Sequence, residues 1–316
     1  MTCKTRHKTI AHTRRFRSGG LVLAAALGLG CAAEAHASEA QGRTGHGHVS
    51  LGYQYINVRG FQSSIGKLPI GDVETHSLDV DIDYYLTERL TLSAGIPFIV
   101  KRYQGGGPHD PLLLNPPRPE VENVDLGKWN TGFQDFHLGV QYLAMESPTF
   151  RIEPYAFLGV PSNDYPFFGH AAIGQQLIKF DVGSGFTWFP PISDAYYRLD
   201  AGYVFVEKTL GVNINHWLIR AEAGYFFSPR LTGRVFVLLK RGHGLTFPDD
   251  FPPPRDSEKW YQHDRLVKHN YMNVGAGMDW AINDRYRLTT SVMTMTWAQQ
   301  VHVMRYTLNV GISRFF

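Results

Sequence analysis

Between Ser77 and Leu86 the chain alternates strictly. Ser77, Asp79, Asp81, Asp83 and Tyr85 interleave with Leu78, Val80, Ile82, Tyr84 and Leu86. A period of two belongs to a β-strand, whose successive side chains point to opposite faces. A face carrying a carboxylate at three alternate positions has to meet water or counter-charge, since one ionised group against hydrocarbon costs about 3 kcal/mol. The opposite face is wholly apolar or aromatic. Two architectures accommodate such a strand: the half-buried sheet of a globular sandwich, and the wall of a barrel with lipid outside and a polar interior.

The rest of the sequence favours the barrel. Twelve segments of about ten residues, the span of a tilted strand across hydrocarbon, show comparable alternation. They are His48 to Val58, Thr75 to Leu86, Arg89 to Lys101, Gly132 to Ala144, Thr149 to Gly159, Leu177 to Phe189, Ala195 to Val206, His216 to Phe227, Arg230 to Arg241, Tyr271 to Ile282, Tyr286 to Trp297 and His302 to Phe316. Their links alternate long and short. Arg59 to Glu74, Arg102 to Thr131, Val160 to Gln176, Glu207 to Asn215 and Gly242 to Asn270 are expected as long loops, separated by tight connections such as Thr87-Glu88 and Ser228-Pro229. Short turns at one end and long loops at the other are the pattern of outer-membrane barrels. Only Ala298 to Val301 is short where that pattern asks for length. The expected fold is therefore all-β: a transmembrane, antiparallel, up-and-down β-barrel of about twelve strands.

Residues 1–37 have the layout of a secretory signal. A basic opening (Lys4, Arg6, Lys8, Arg14, Arg15, Arg17) precedes an apolar run from Leu21 to Leu29 and the small-x-small site Ala35-His36-Ala37. Cleavage near Ala37 leaves a barrel of residues 38–316. The signal holds six of the 31 Lys and Arg but one of the 28 Asp and Glu, so the remainder is slightly acidic and nothing suggests a nucleic-acid partner. Both cysteines, Cys3 and Cys31, also lie in the signal, which removes disulfides, thiol chemistry and Cys-based metal sites from the exported chain. No later stretch approaches the roughly 18 consecutive apolar residues of a spanning helix.

The last strand runs to a terminal aromatic residue. Phe316, Ile312, Val310 and Leu308 share one face and Gly311 lies on the other, an arrangement that resembles the C-terminal insertion signal of bacterial outer-membrane barrels, with Arg314 where an apolar residue is usual. This resemblance implies the bilayer and the outer-membrane barrel assembly machinery as partners, and the outer membrane of a Gram-negative bacterium as location.

Twelve strands about 4.8 Å apart, tilted near 40°, enclose a backbone radius of roughly 12 Å and a lumen on the order of 10 Å wide. Its expected wall carries Asp79, Asp81, Asp83, Asp135, His137, Glu153, Asp181, Asp200, Glu222 and Asp279 with Arg151, Lys179, Arg198, Arg220, Arg234, Lys240, Arg287 and Arg305. These residues are expected to pair as a structural network, to line a solute path, or both. The outer loops are rich in proline and rings. His109, Trp129, Phe167, Phe168, Phe247, Phe251 and Trp260 are the expected mouth, with proline stiffening the segments that fold over it.

Of the 14 histidines, His7, His12 and His36 fall in the signal. The His46-x-His48 pair and the scattered His243, His263, His269 and His302 match no ligand spacing, so no metal or other cofactor is expected. Catalysis is not expected either. Ser184, flanked by Gly183 and Gly185, has no recognisable base, and His137 and Asp135 share the inner face.

The segment Gly132-Phe133-Gln134-Asp135-Phe136-His137-Leu138-Gly139-Val140-Gln141-Tyr142 resembles the Gly-x-x-Asp-apolar-x-Leu-Gly-x-x-Tyr strand of the MetA-pathway phenol-degradation family of outer-membrane proteins, itself regarded as distantly similar to the long-chain fatty-acid transporters. Phe157 to Tyr165 resembles that family's Gly-x-Pro-Ser/Thr stretch, with Asn163 where Gly is common. The resemblance implies passive or ligand-gated passage of small, often aromatic or apolar, molecules. The alternatives are an integral-membrane lipid-modifying enzyme, which asks for a Ser or His with a partner near the outer leaflet, and a structural barrel whose inward charges pair completely and plug the lumen.

Overall fold

The structure is a computed structural model and describes residues 43–106 and 109–316. The expected export signal and its expected cleavage site, and residues 107–108, lie outside the described residues. Twelve strands form one antiparallel ring: β1 (Gly47–Ser63), β2 (Gly66–Tyr85), β3 (Leu90–Gln104), β4 (Asn130–Phe133 and Asp135–Tyr142, broken at Gln134), β5 (Phe150–Pro161), β6 (Lys179–Trp188), β7 (Ala195–Val206), β8 (His216–Ser228), β9 (Leu231–Gly242), β10 (Asn270–Asn283), β11 (Tyr286–Gln299) and β12 (Val301–Phe315). Each strand pairs with its sequence neighbours, and β1 pairs with both β2 and β12, which closes the barrel. Closure removes every sheet edge, the condition for spanning hydrocarbon with strands. The seam runs to the end of the chain. Phe316 N–H donates to the Gly47 carbonyl at 3.0 Å, and Gly47 N–H donates to the Phe316 carbonyl at 3.0 Å.

The alternation maps onto outside and inside as the carboxylate row demands. Leu78, Val80, Ile82, Leu138, Leu199, Leu308, Val310 and Ile312 are each 41–55% exposed on the outer wall, an apolar band that only lipid covers. Tyr53, Tyr55, His76, Trp129 and Tyr306 pack ring against ring on that outer wall, and Arg102 lies over Trp129 at 4.4 Å. This is the interfacial aromatic girdle typical of such barrels. Trp129 therefore belongs to the girdle and not to the mouth. Arg314 faces outward in the terminal pair with Tyr286, at the end with the short turns, where a long side chain can extend to the headgroup region.

Two strand expectations need correction. Arg59 to Glu74 is not a loop: β1 and β2 continue through it and meet at the two-residue turn Ser64-Ile65. Gly60 and Gly71 have positive φ there and interrupt the alternation, which is why the stretch does not read as strand. Arg305 is not on the inner wall. Asn57 pairs with Tyr306 but Val58 pairs with Met304, so a bulge at Arg305 leaves both Arg305 and Tyr306 exposed, between the inward Met304 and Thr307. A second break, at Gln134, lets Phe133 and Phe136 both face outward.

Three long outer connections, residues 105–129 (described except for 107–108), 162–178 and 243–269, each send a buried portion over the mouth while the rest is exposed. The third contains α1 (Ser257–Tyr261), capped by Asp256, whose side chain accepts from Lys259 N–H at 2.7 Å, followed by a 3-10 turn His263–Arg265. The buried portions cover the mouth with their own apolar side chains. Ala171 and Ala172 pack with Ile56, Val58, Val73, Tyr103, Phe236, Met293 and Met304 of the wall.

Candidate functional site

The interior has two zones. In the lower zone, toward the short turns, the wall is polar and partly open to water. Asp81 and His137 face each other across Gly95, with His137 Nε2 2.7 Å from Asp81 Oδ1. Any Cβ at Gly95 would collide with both, so the glycine makes room for the pair. Asp83 meets His48 at 3.1 Å and accepts from Ser93 Oγ. Asp79 completes the row, and no ion pair reaches it among the described residues.

Across the ring several cations are locally neutralised. Arg198 donates to Glu153 at 2.9 Å and to Asp200 at 2.7 Å. Arg220 pairs with Glu222, and Arg234 lies 3.1 Å from Asp279. Tyr196 donates to Glu222 at 2.6 Å, and Thr289 donates to Asp279 at 2.7 Å. Lys179 reaches Asp135 at 3.3 Å, and Asp135 also accepts from the Tyr165 hydroxyl. Arg151 pairs with Glu146 at 2.8 Å near the lower rim. Asp181, like Asp79, has no ion-pair partner among the described residues. Lys240 on β9 and Arg287 on β11 also have no ion-pair partner among the described residues, whereas on the arc from β2 to β6 the unpaired groups are the carboxylates Asp79 and Asp181, and that arc of the wall is acidic.

The upper zone is closed. Phe167, Phe168, Phe251, Trp260, Tyr261 and Leu266 form a packed apolar cluster with Phe247 against it. His109 stands edge-on to Phe168 at 5.2 Å between ring centroids. Of the expected mouth residues, His109, Phe167, Phe168, Phe247, Phe251 and Trp260 are thus brought together, and Trp129 is not. Three wall and loop groups tie the plug down. Lys101 donates to the Ala172 carbonyl at 2.9 Å. Asp125, whose side chain is fully enclosed, accepts from His170 N–H at 2.9 Å, Ala171 N–H at 2.8 Å and His109 Nδ1 at 2.9 Å. Gln300, at the single-residue turn between β11 and β12, holds Phe247 N–H and carbonyl at 2.8 and 3.1 Å. A small polar recess, partly open to solvent and roomy enough for about one water, lies beside the plug between His216, Lys240, His269 and Gln175.

Burial fixes the protonation of several plug groups. His170 is pushed well below the ordinary histidine value by desolvation, with the neighbouring His109, His302 and His263 acting in the same direction. His269 is pushed down to about 3 by desolvation, and Lys240 adds to it. Sequence reasoning missed Asp125, His170 and Asp264, which carry no local motif. Only their convergence in space marks them.

Fold and wall chemistry together define an outer-membrane β-barrel. Within that class, residues 85–233 match the family described as "Putative MetA-pathway of phenol degradation", so the resemblance seen at Gly132–Tyr142 and Phe157–Tyr165 holds over that stretch. Among solved structures, an outer membrane channel from Pseudomonas putida F1 is similar at 12% identity, over 86% of this chain and 96% of that one, with a TM-score of 0.65. The CymD monoaromatic hydrocarbon channel is similar at 12% identity, covering 88% of this chain and 90% of that one, with a TM-score of 0.45. The NanC porin is similar at 9% identity, covering 85% and 98%, with a TM-score of 0.47. At such identities the likeness is one of fold. No curated protein matches the sequence.

Proposed function

We propose that this protein is a passive, gated outer-membrane channel for small, neutral, aromatic or apolar molecules. The observation that carries the reading is the division of the interior: an apolar, ring-lined plug above a water-accessible wall whose β2 to β6 arc keeps unpaired carboxylates at Asp79 and Asp181. A barrel meant only to be filled would pair its inward charges completely, as the Arg198 and Arg234 clusters do. Acidic walls attract cations and repel carboxylate solutes, whereas an uncharged phenol meets no electrostatic barrier there. The ring cluster offers such a solute stacking and edge-on contacts at the entrance. The description of the matched family in phenol degradation accords with this class of cargo.

An enzymatic reading finds little support. Ser184 is on the outer wall between Pro154 and Ala201, and its hydroxyl is engaged by the Gly185 carbonyl at 3.4 Å. Phe316, Ile312, Val310 and Gly311 act, in this account, as the strand that the barrel assembly machinery recognises. Liposome swelling tests the cargo. Phenol and small neutral aromatics should enter proteoliposomes faster than benzoate of similar size, and equal rates, or faster benzoate entry, would refute the acidic-wall reading.

A further inference from the structure

The plug gathers histidines and carboxylates from separate loops. His109 and Asp125 come from residues 105–129, His170 from 162–178, and His263 and Asp264 from 243–269, while His302 opens β12; all are at least nine-tenths buried. Their hydrogen bonds fix which nitrogen carries the proton. The Trp260 carbonyl can only accept, so His263 Nδ1, 2.6 Å away, must be the donor. The Asp125 carboxylate accepts from His109 Nδ1. In the neutral tautomers both Nε2 atoms then carry bare lone pairs, and they face each other at 3.2 Å. Asp264 Oδ1 is 3.1 Å from the same His263 Nε2. Three acceptors converge and no donor stands between them.

Such a trio is repulsive unless a cation fills it. Ligand atoms about 2.0–2.1 Å from a tetrahedral ion lie roughly 3.3 Å from one another, close to the separations found. The surroundings are those of a ligand set. A carboxylate orients one histidine and a backbone carbonyl the other, each through the nitrogen facing away from the trio. A divalent ion would also balance the two buried carboxylates, Asp125 and Asp264. His170 and His302 stand alongside, the rings of His109 and His170 being 4.2 Å apart, and His170 Nε2 and His302 Nδ1 are buried without a partner.

We propose that His109 Nε2, His263 Nε2 and Asp264 Oδ1 bind a first-row divalent transition ion of the zinc class, with His170 or water completing the shell. The donors are imidazole and carboxylate with no thiolate, which suits zinc, cobalt or nickel and not calcium or magnesium. This departs from the expectation that the chain holds no metal, because His109 stands 154 positions before His263 and the ligands form no motif. Its consequence rests on the gated-channel reading: the ion staples the 105–129 loop to the 243–269 loop and holds the plug shut.

The test begins with binding alone, on the full-length exported protein purified in detergent, stripped with a chelator and titrated with Co²⁺. One equivalent should bind and give the visible absorption of low-symmetry four-coordinate cobalt, and Zn²⁺ should displace it. His263→Gln and Asp264→Asn should each weaken binding at least tenfold, and Asp125→Asn roughly 10- to 100-fold through lost orientation. His76→Ala, on the outer girdle, should leave binding unchanged. Folding of every variant is checked by the heat-dependent shift of the barrel on electrophoresis. A folded wild type that binds no Co²⁺, or binds it equally after His263→Gln, overturns the site and leaves a shared proton as the filler of the trio. Chelation is then repeated during conductance recording. Binding without a change in current retains the site but overturns the staple.

Discussion

Replacing Asp125 by Ala isolates the tether between two plug loops. The carboxylate is fully enclosed and accepts three bonds at 2.8–2.9 Å, from His170 N–H, Ala171 N–H and His109 Nδ1. Bonds to a charged acceptor contribute about 1.5–3 kcal/mol each. Alanine leaves two buried backbone N–H groups unpaired, and removal of one partner from such a cluster costs about 3–5 kcal/mol. The barrel strands do not use Asp125, so the loss falls on the closed state of the plug. At about 3 kcal/mol the open-to-closed ratio rises by roughly two orders of magnitude. Single-channel recording reads this directly: the wild type should dwell mostly closed, and Asp125→Ala should open for a far larger share of the time. Asp125→Asn keeps an acceptor oxygen and should fall between them. A folded Asp125→Ala protein with the wild-type open fraction would refute the tether.

Other consequences follow from the same geometry. Arg198→Ala strands Glu153 and Asp200 against each other on a wall only partly screened by water, and should lower stability by about 2–3 kcal/mol in urea titration of the lipid-reconstituted barrel; a change within about 0.5 kcal/mol would contradict the pairing. His269, buried with a pKa near 3 against an ordinary value near 6.5, binds protons more readily when its loop is undocked. Stability of the docked loop is therefore full above about pH 6.5 and declines as pH falls toward 3, by about 2 kcal/mol at pH 5. Limited proteolysis of the 243–269 loop should accelerate from pH 7 to pH 5, and less so in His269→Gln. Gly95→Leu should force Asp81 and His137 apart and reduce the folded fraction, read by the electrophoretic shift of the native barrel.

The strands were legible because the membrane imposes two solvents. Where lipid lies on one side and water on the other, a misplaced charge is costly, and the Asp79-Asp81-Asp83 row states its orientation unaided. The same constraint lapses above the bilayer. Arg59 to Glu74 continues as strand there but carries Gly60 and Gly71 off the alternation, so it reads as a loop. Arg305 is displaced by a single extra residue in β12, a shift that no one-strand pattern reports because it is defined against the partner strand. Trp129 sits near a proline-rich loop in sequence, yet it packs on His76 and Arg102 outside the barrel. The rings of the mouth were found by composition. Their arrangement was not, because Asp125, His170 and His263 meet only after three loops fold inward.

Reversal potential under a KCl gradient, in a planar bilayer containing the exported protein, tests the central claim most directly. With Asp79 and Asp181 unpaired on the β2 to β6 arc of the wall, discrete openings should favour K⁺ over Cl⁻, and Asp79→Asn combined with Asp181→Asn should move the potential toward zero. Openings that favour Cl⁻, or a folded barrel that never conducts even after Asp125→Ala, would contradict an acidic channel beneath a movable plug.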